Sequence, residues 1–366
     1  MSADLFDHQE MTERLTRIRE WMARDGWGAL FVEHPANVRY ASGFRGEPRC
    51  LWITHDQALL ITSFRSERWA LEQCQTFDVV SESEPLKRVA TCLGKRGLKI
   101  GVDWDIQNRR LNELRGAWPE HIIEPTQGIE IIRRIKSEAE ISLLRKSQEL
   151  NQRIFERLLT KIRPGMTERT AQGLILAEMA AEQTVDCPAF SPIVAAGANA
   201  WEIHHLPDDS VLKKNDMVII DVGVKVNGYA SDMTRTICLG RATQRMREVH
   251  AKVREAQLAG IARLRPDVLA VDVDVAARSV IDAAGFGRGF THGLGHDIGL
   301  ETHDTGLSLS PKAGDLHLLA GMALTVEPGI YLENEFGVRT EDMLVIRKEG
   351  VENLTSTTHD LIELNH

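Results

Sequence analysis

Acidic residues in this chain recur at the ends of apolar runs, a costly place to leave a carboxylate. Asp221 closes the run Met217-Val218-Ile219-Ile220, and Asp232 closes the segment Gly228-Tyr229-Ala230-Ser231 that follows a Val226-Asn227-Gly228 turn. A charge at the end of a buried strand is unfavourable unless it is paired or bound to a metal. On adjacent strands the two aspartates would face each other across a hairpin. Taken singly, either one reads as a turn residue bonded to backbone amides. The later sequence changes that weighing. The stretch from Phe290 to His303 sets His292, His296 and His303 among Gly293, Gly295 and Gly299. Glycine lets backbone approach a site closely, and neutral imidazole is a common metal ligand. Glu327 then ends an apolar run before Pro328-Gly329, and Arg339, Glu341 and Asp342 precede the run Met343–Ile346. A lone histidine or glutamate is usually structural. Strand-end acids that recur beside a glycine-flanked histidine are harder to read as structure alone.

The elements that must position these residues follow from periodicity. Apolar positions Met11, Leu15, Ile18 and Trp21 predict an amphipathic helix from about Gln9 to Arg24. Ala29–Val32 and Lys99–Asp103 are short strand candidates, and Leu51–Thr54 with Ala58–Thr62 reads as a hairpin around His55-Asp56-Gln57. Alternating strands and helices over this part predict a small α/β domain. Ser137 and Glu140 have capping-box spacing, so a helix should start there and run to about Ile162, ended by Pro164-Gly165. It reads as core packing. The domain boundary is placed just before it, giving residues 1–132 and 133–366. In the second part, Met217–Val224 reads as one buried strand, and Met246, Val249, Val253, Ala256 and Leu264 mark a helix over Gln244–Leu264.

The bulk properties exclude several function classes. With 366 residues, 43% hydrophobic and 27% charged, the chain is an ordinary globular protein with room for two domains. A net charge of −9 and the absence of a basic stripe argue against a nucleic-acid partner. No apolar run approaches the ~20 residues needed to span a bilayer, and the polar start Met1–His8 lacks a signal-peptide core. Cys50, Cys74, Cys92, Cys187 and Cys238 are scattered and never form a Cys-x-x-Cys pair. They read as buried or half-buried thiols in a reducing compartment, which predicts the cytoplasm.

The chain resembles the pita-bread metallopeptidases, the group of methionine aminopeptidase, aminopeptidase P and prolidase, with metal-free creatinase as a relative. The resemblance rests on Asp221-Val-Gly-Val-Lys-Val-Asn-Gly-Tyr-Ala-Ser-Asp232, on His292-Gly-Leu-Gly-His296 with Gly299 and His303, on Glu327-Pro-Gly-Ile-Tyr331, and on Gly337-Val-Arg-Thr-Glu341-Asp342. It covers roughly Ile135 to the C-terminus. Pro35–Tyr40 and Ser42-Gly43-Phe44 also look like the N-terminal domain of prolidases and aminopeptidase P, which methionine aminopeptidases lack. The resemblance implies an α+β fold: a C-terminal pita-bread domain, its curved antiparallel sheet covered by helices, after a smaller α/β domain.

It also implies a ligand set of Asp221, Asp232, His296, Glu327 and Glu341 around two divalent metal ions. Asp232 and Glu341 would bridge the ions, with Asp221 completing one shell and His296 and Glu327 the other. Oxygen-rich ligation with one imidazole suits manganese, with cobalt, iron or zinc as alternatives. The implied reaction is hydrolysis of an Xaa-Pro peptide bond by a hydroxide shared between the ions, with Glu327 shuttling the proton. His292 and His303 would stabilise the tetrahedral intermediate or hold the substrate carbonyl. His204 matches the family's upstream histidine, and neighbouring His205 is the lesser candidate. Arg339 would anchor Glu341 or a substrate carboxylate, or else only order the acids from behind; Trp201 and Tyr331 read as pocket wall or core. The expected substrate is a small peptide with proline second, and by analogy the chain should form a homodimer. Three alternatives to the dipeptidase stay open: aminopeptidase P, a C–N hydrolase of a non-peptide substrate like ectoine hydrolase or creatinase, and a catalytically dead binding module.

Overall fold

The computed structural model of the chain describes residues 8–94 and 97–365. The polar stretch Met1–Asp7, read above as lacking a signal core, lies outside them. The chain divides into two compact units, Met1–Arg133 and Arg134–His366.

The first unit is built on a six-stranded mixed sheet. Its strand order is Asp78–Ser81, Ala58–Thr62, Pro48–Thr54, Ala29–Val32, Lys99–Asp103, Ile122–Thr126. The central hairpin pairs antiparallel around the 55–57 turn, while Ala29–Val32, Lys99–Asp103 and Ile122–Thr126 run parallel. The amphipathic helix runs His8–Asp25 and buries Leu15, Ile18 and Trp21.

In the second unit, two pairs of helices cover separate sheets. The helices Glu138–Leu159 and Glu168–Ala181 pack through Ile154, Phe155 and Ile175 onto Val218, Ile220 and Val222 of the strand Met217–Val222. The helices Gln244–Arg263 and Ala270–Ala283 pack through Val253 and Ala277 onto Leu324 and Val326 of the strand Ala323–Val326. The arrangement is the pita-bread fold. Successive residues of a strand point to opposite faces, so Ile219 and Asp221 lie opposite the helix-facing set. Ile219 packs there with Ala195, Ala200 and Tyr331. Both faces are buried, which is why the run looks continuously apolar in sequence, and Asp221 is its polar exception.

The predicted single strand Met217–Val224 is two strands, Met217–Val222 and Val224–Val226. The ladder changes partners at Gly223, whose carbonyl accepts from the Ala189 N–H at 2.9 Å while the Val224 N–H turns to Ser231 Oγ. Asn227 and Gly228, at φ of 50° and 80°, then make a tight turn into Tyr229–Ala230. The return strand Met233–Cys238 pairs antiparallel with Met217–Val222, with Thr234 opposite Asp221. Asp232, two residues earlier, therefore points to the same face as Thr234 and Asp221.

The capping box forms as read: Ser137 Oγ accepts from the Glu140 N–H, and Glu140 Oε2 from the Ser137 N–H. The helix it starts does more than pack. Ser147, Gln148 and Asn151 are buried on it and donate to the carbonyls of Val224, Asp232 and Val222 at 2.9, 3.1 and 2.7 Å. These side chains add hydrogen bonds to the backbone where the ladder breaks. All five cysteines are free, and Cys187 is exposed rather than buried because it lies on the short strand Cys187–Pro188. Among the described residues, no helix is long and apolar enough to cross a membrane.

Candidate metal centre

The chain folds its strand ends toward one cavity of about 1230 Å³. Asp221, Asp232, His296, Glu327 and Glu341 line it, as do His204, His292, His303 and Arg339.

Each acid reaches the cavity through a specific backbone contact. Glu341 precedes the strand Asp342–Ile346 and docks by its N–H on the Thr234 carbonyl at 3.0 Å, while Thr234 Oγ1 donates to Glu341 Oε2 at 2.8 Å. Neighbouring Asp342 turns the other way, to Arg235 and His359. Glu327 is fixed by its N–H on the Leu294 carbonyl at 2.7 Å. His296 sits on the strand Gly295–His296, and its N–H bonds Thr325 Oγ1. A Cβ at position 295 would lie 2.0 Å from the Thr325 carbonyl oxygen, so glycine is what lets these strands approach.

The electrostatics of this group suit a cation. His296 Nδ1 lies 3.1 Å from the Asp297 carbonyl and donates to it, which leaves Nε2 with its lone pair. That lone pair faces Asp232 Oδ2 and Glu327 Oε1, each 3.6 Å away and beyond hydrogen-bond reach. Burial, then His303, push the His296 pKa down to about 3, so the ring is neutral. Ligand atoms of Asp232, His296 and Glu341 lie within 4.8 Å of one another. Asp221 Oδ1 and Asp232 Oδ1 are buried without a hydrogen-bond partner. Burial, then Glu341, hold the Asp232 and Glu327 carboxyls well above their usual range; burial, then Asp221, push Glu341 up to about 8. Converging lone pairs, orphaned oxygens and crowded acids are the pattern of a preformed cation site. The residues fit divalent metal.

Arg339 follows the second of its two sequence readings, ordering an acid of the site, and the acid is Asp221. Its guanidinium does not hold Glu341: Nη2 donates to Asp221 Oδ2 at 2.7 Å, Nε to Thr234 Oγ1 at 3.1 Å, and Nη1 to Tyr331 Oη at 3.0 Å and the Ile203 carbonyl at 3.3 Å. With four of its five N–H groups so occupied and only 2% exposed, it is poorly placed to meet a substrate carboxylate. Tyr331 is core, as read, but its hydroxyl is a junction. It accepts from Arg339 and donates to His292 Nε2 at 3.0 Å, because His292 Nδ1 already donates to the Gly293 carbonyl at 2.8 Å. Burial, then Arg339, push the His292 pKa down to about 4. An oxyanion-binding role needs a free N–H, and both nitrogens of His292 are engaged. His204 is exposed on the cavity wall and His303 lies against His296, ring centroids 4.0 Å apart and planes tilted by 36°; neither has a hydrogen-bond partner among the described residues. Trp201 is 38% exposed and does not line the cavity.

Sequence reasoning missed Thr234, the hydroxyl role of Tyr331, and the Asp274–Arg278 pair. Arg278 donates to the Phe290 and His292 carbonyls, and Asp274 Oδ1 accepts the Leu294 N–H, so this pair props up the histidine segment. Their i, i+4 spacing on a helix was the available signal.

Comparison with known proteins accounts for the geometry. The model of metallopeptidase family M24 matches residues 142–348, more than half the chain, and that of the creatinase/prolidase N-terminal domain matches residues 14–135. The chain belongs to metallopeptidase family M24. Among family members, an Xaa-Pro dipeptidase of Lactobacillus delbrueckii subsp. lactis is 30% identical over 362 residues, covering 95% of this chain and 98% of the relative. A solved Xaa-Pro dipeptidase from Bacillus anthracis superposes with a TM-score of 0.91 at 30% identity, covering 97% of this chain and all of that one. An X-Pro aminopeptidase from Thermotoga maritima superposes at 0.87 with 29% identity, covering 95% of this chain and 99% of the other. The M24 chain described here is thus a metallopeptidase, with a full-length likeness to both activities.

Proposed function

We propose that this protein is an Xaa-Pro dipeptidase working with two divalent metal ions, held by Asp221, Asp232, His296, Glu327 and Glu341. The observation that carries the reading is the neutral His296 lone pair aimed at two carboxylate oxygens across 3.6 Å gaps, beside buried acids with orphaned oxygens. Four carboxylates balance the charge of two divalent ions. Manganese is the favoured metal, since hard oxygen donors dominate the set. Ions bound there would supply Lewis acidity, activating water near neutral pH and polarising the scissile carbonyl.

The chain's own residues do the rest. Glu327, its proton affinity raised by burial and Glu341, takes a proton at its carboxylate and passes it to the departing proline nitrogen. His303 and His204, the cavity imidazoles without hydrogen-bond partners among the described residues, present N–H groups to the substrate carbonyl. Tyr331 and His292 hold Arg339, and Arg339 holds Asp221 in place. A dipeptidase must also recognise a free carboxylate beside proline. Four Lys/Arg side chains line the cavity: Arg339 and Arg278 each spend four of five N–H groups on protein acceptors, Lys225 donates to the Leu300 carbonyl at 2.8 Å, and Lys312 has no acceptor among the described residues. Lys312 is exposed at the rim and suits that carboxylate. Net acidity and free thiols support a cytoplasmic location, and we extend the reading to a homodimer, which sedimentation would test.

The deciding experiment compares Ala-Pro, Ala-Pro amide and Ala-Pro-Ala with manganese-loaded protein. The dipeptidase reading expects cleavage of Ala-Pro alone, with a KM raised about tenfold or more by Lys312→Ala. Preference for Ala-Pro-Ala would replace it with an aminopeptidase. Cleavage of none, with metal bound, would move the function to a non-peptide C–N substrate.

A further inference from the structure

The cavity wall that carries His204 is tied down by a second buried charge cluster. Glu168 is 0% exposed at the start of the helix Glu168–Ala181. Its Oε1 accepts from the Ala196 N–H at 2.8 Å and Asn199 Nδ2 at 3.1 Å; its Oε2 accepts from His205 Nε2 at 2.6 Å and the Asp208 N–H at 3.3 Å. His205 Nδ1 lies 3.2 Å from Glu202 Oε2. A carboxylate oxygen at each ring nitrogen means that both nitrogens carry hydrogen and the ring is a cation. Burial alone would oppose this, but Glu168 and then Glu202 raise the His205 pKa above its ordinary value.

Glu168, His205 and Asp208 have the spacing of metal ligands. Both Glu168 oxygens are already filled by protein donors, however, and Asp208 Oδ1 takes the Ser210 N–H at 2.7 Å. The cluster is an ion pair with a structural task. That task follows from where its members lie. They hold both ends of the segment 196–208, whose residues Ile203 to Pro207 line the cavity. The middle of the segment is seated on the metal side: Ala200 O lies where a Cβ on Gly337 would come within 1.8 Å, and the Ile203 carbonyl accepts from Arg339. His204 thus sits between two anchors, Arg339 inside and Glu168–His205 outside.

We propose that His205, clamped as a cation between Glu168 and Glu202, is a positioning residue for His204, and that Glu168 acts on the reaction only through this clamp. The inference rests on the reading that His204 meets the substrate.

The test is a double-mutant cycle on the manganese-loaded full chain, with Ala-Pro as substrate. Glu168→Gln and His205→Gln, each alone, should lower kcat/KM about tenfold or more. In a His204→Ala background the same changes should cost less than twofold, because coupled residues are non-additive. Independent losses that multiply with His204→Ala would overturn the proposal, as would variants with unchanged kcat/KM. Glu202→Gln, at a partner that is 56% exposed, repeats the cycle should the buried variants fail to fold. Hydrogen exchange on metal-free protein reads the clamp without any substrate. The His205→Gln variant should speed exchange of the Ala196 and Asp208 amides while amides of the strand Met217–Val222 stay protected. Unchanged exchange at 196–208 would refute the clamp even if the enzyme cleaves Ala-Pro, and failure of the wild type on Ala-Pro would refute only the dipeptidase reading.

Discussion

Stripping the divalent metal should leave a protein that loses stability as the pH rises. Glu341 illustrates the size of the effect. Its carboxyl titrates near 4.5 in an unfolded chain and is pushed up to about 8 in the folded one, by burial first and by Asp221 second. Between those values the folded state holds a proton that the unfolded state has released. Stability changes with pH as the protons bound in the unfolded state minus those in the native state, so here the slope is negative. The stability is fully present below about 4.5 and is lost as pH climbs through about 8. At about 1.4 kcal/mol per tenfold change, the interval is worth roughly 5 kcal/mol. Asp232 and Glu327 shift in the same direction and titrate with Glu341 as a set. Bound cations keep these carboxylates ionised and should abolish the slope. Urea denaturation in chelator at about pH 5, 6.5 and 8, repeated with manganese, measures both cases. A metal-free protein whose stability is flat or rises over that range would refute the argument that these acids are crowded for want of a cation.

Two substitutions probe the parts around the centre. Tyr331→Phe deprives His292 Nε2 and Arg339 Nη1 of their shared partner, which should cost about 1–3 kcal/mol by denaturation and let the His292 ring titrate differently by NMR. Gly295→Ala drives a methyl to 2.0 Å from the Thr325 carbonyl and should spread the strands carrying His296 and Glu327. Manganese affinity by calorimetry should fall at least tenfold, while the capped helix from Glu138 keeps its circular dichroism.

The strand-end acids stood out in sequence because they break a local rule, while the ligand set as a whole came from the resemblance to the pita-bread metallopeptidases. A strand buried on both faces should be apolar throughout, so Asp221 stands out after Ile220, and Glu327 after Val326. The partners of Arg339 were not legible, since they depend on which of several converging strand ends its fork meets. Asp221 is 118 residues away, and Glu341, the expected partner, is two. The break at Gly223 was hidden for a related reason: Val222 and Val224 are both apolar, and only the hydrogen bonds of Ala189 and Ser231 separate them. The buried polar face Ser147, Gln148, Asn151 reads as ordinary helix surface until the irregular backbone it bonds to is in view. Glu168 and His205, 37 residues apart, offered no pattern at all. In the first unit the hairpin and the strand Lys99–Asp103 were readable from apolar runs bounded by turn residues, while their parallel or antiparallel pairing was not.

The central claim is that the cluster of Asp221, Asp232, His296, Glu327 and Glu341 holds two divalent ions that make the chain a proline dipeptidase. Titrating metal-stripped protein with manganese while following bound metal and Ala-Pro hydrolysis on the same samples tests it most directly. The account predicts no cleavage without metal, activity that rises with occupancy and a plateau at two ions per chain. Cleavage that persists in chelator, or a fully loaded centre that leaves Ala-Pro intact, would contradict it.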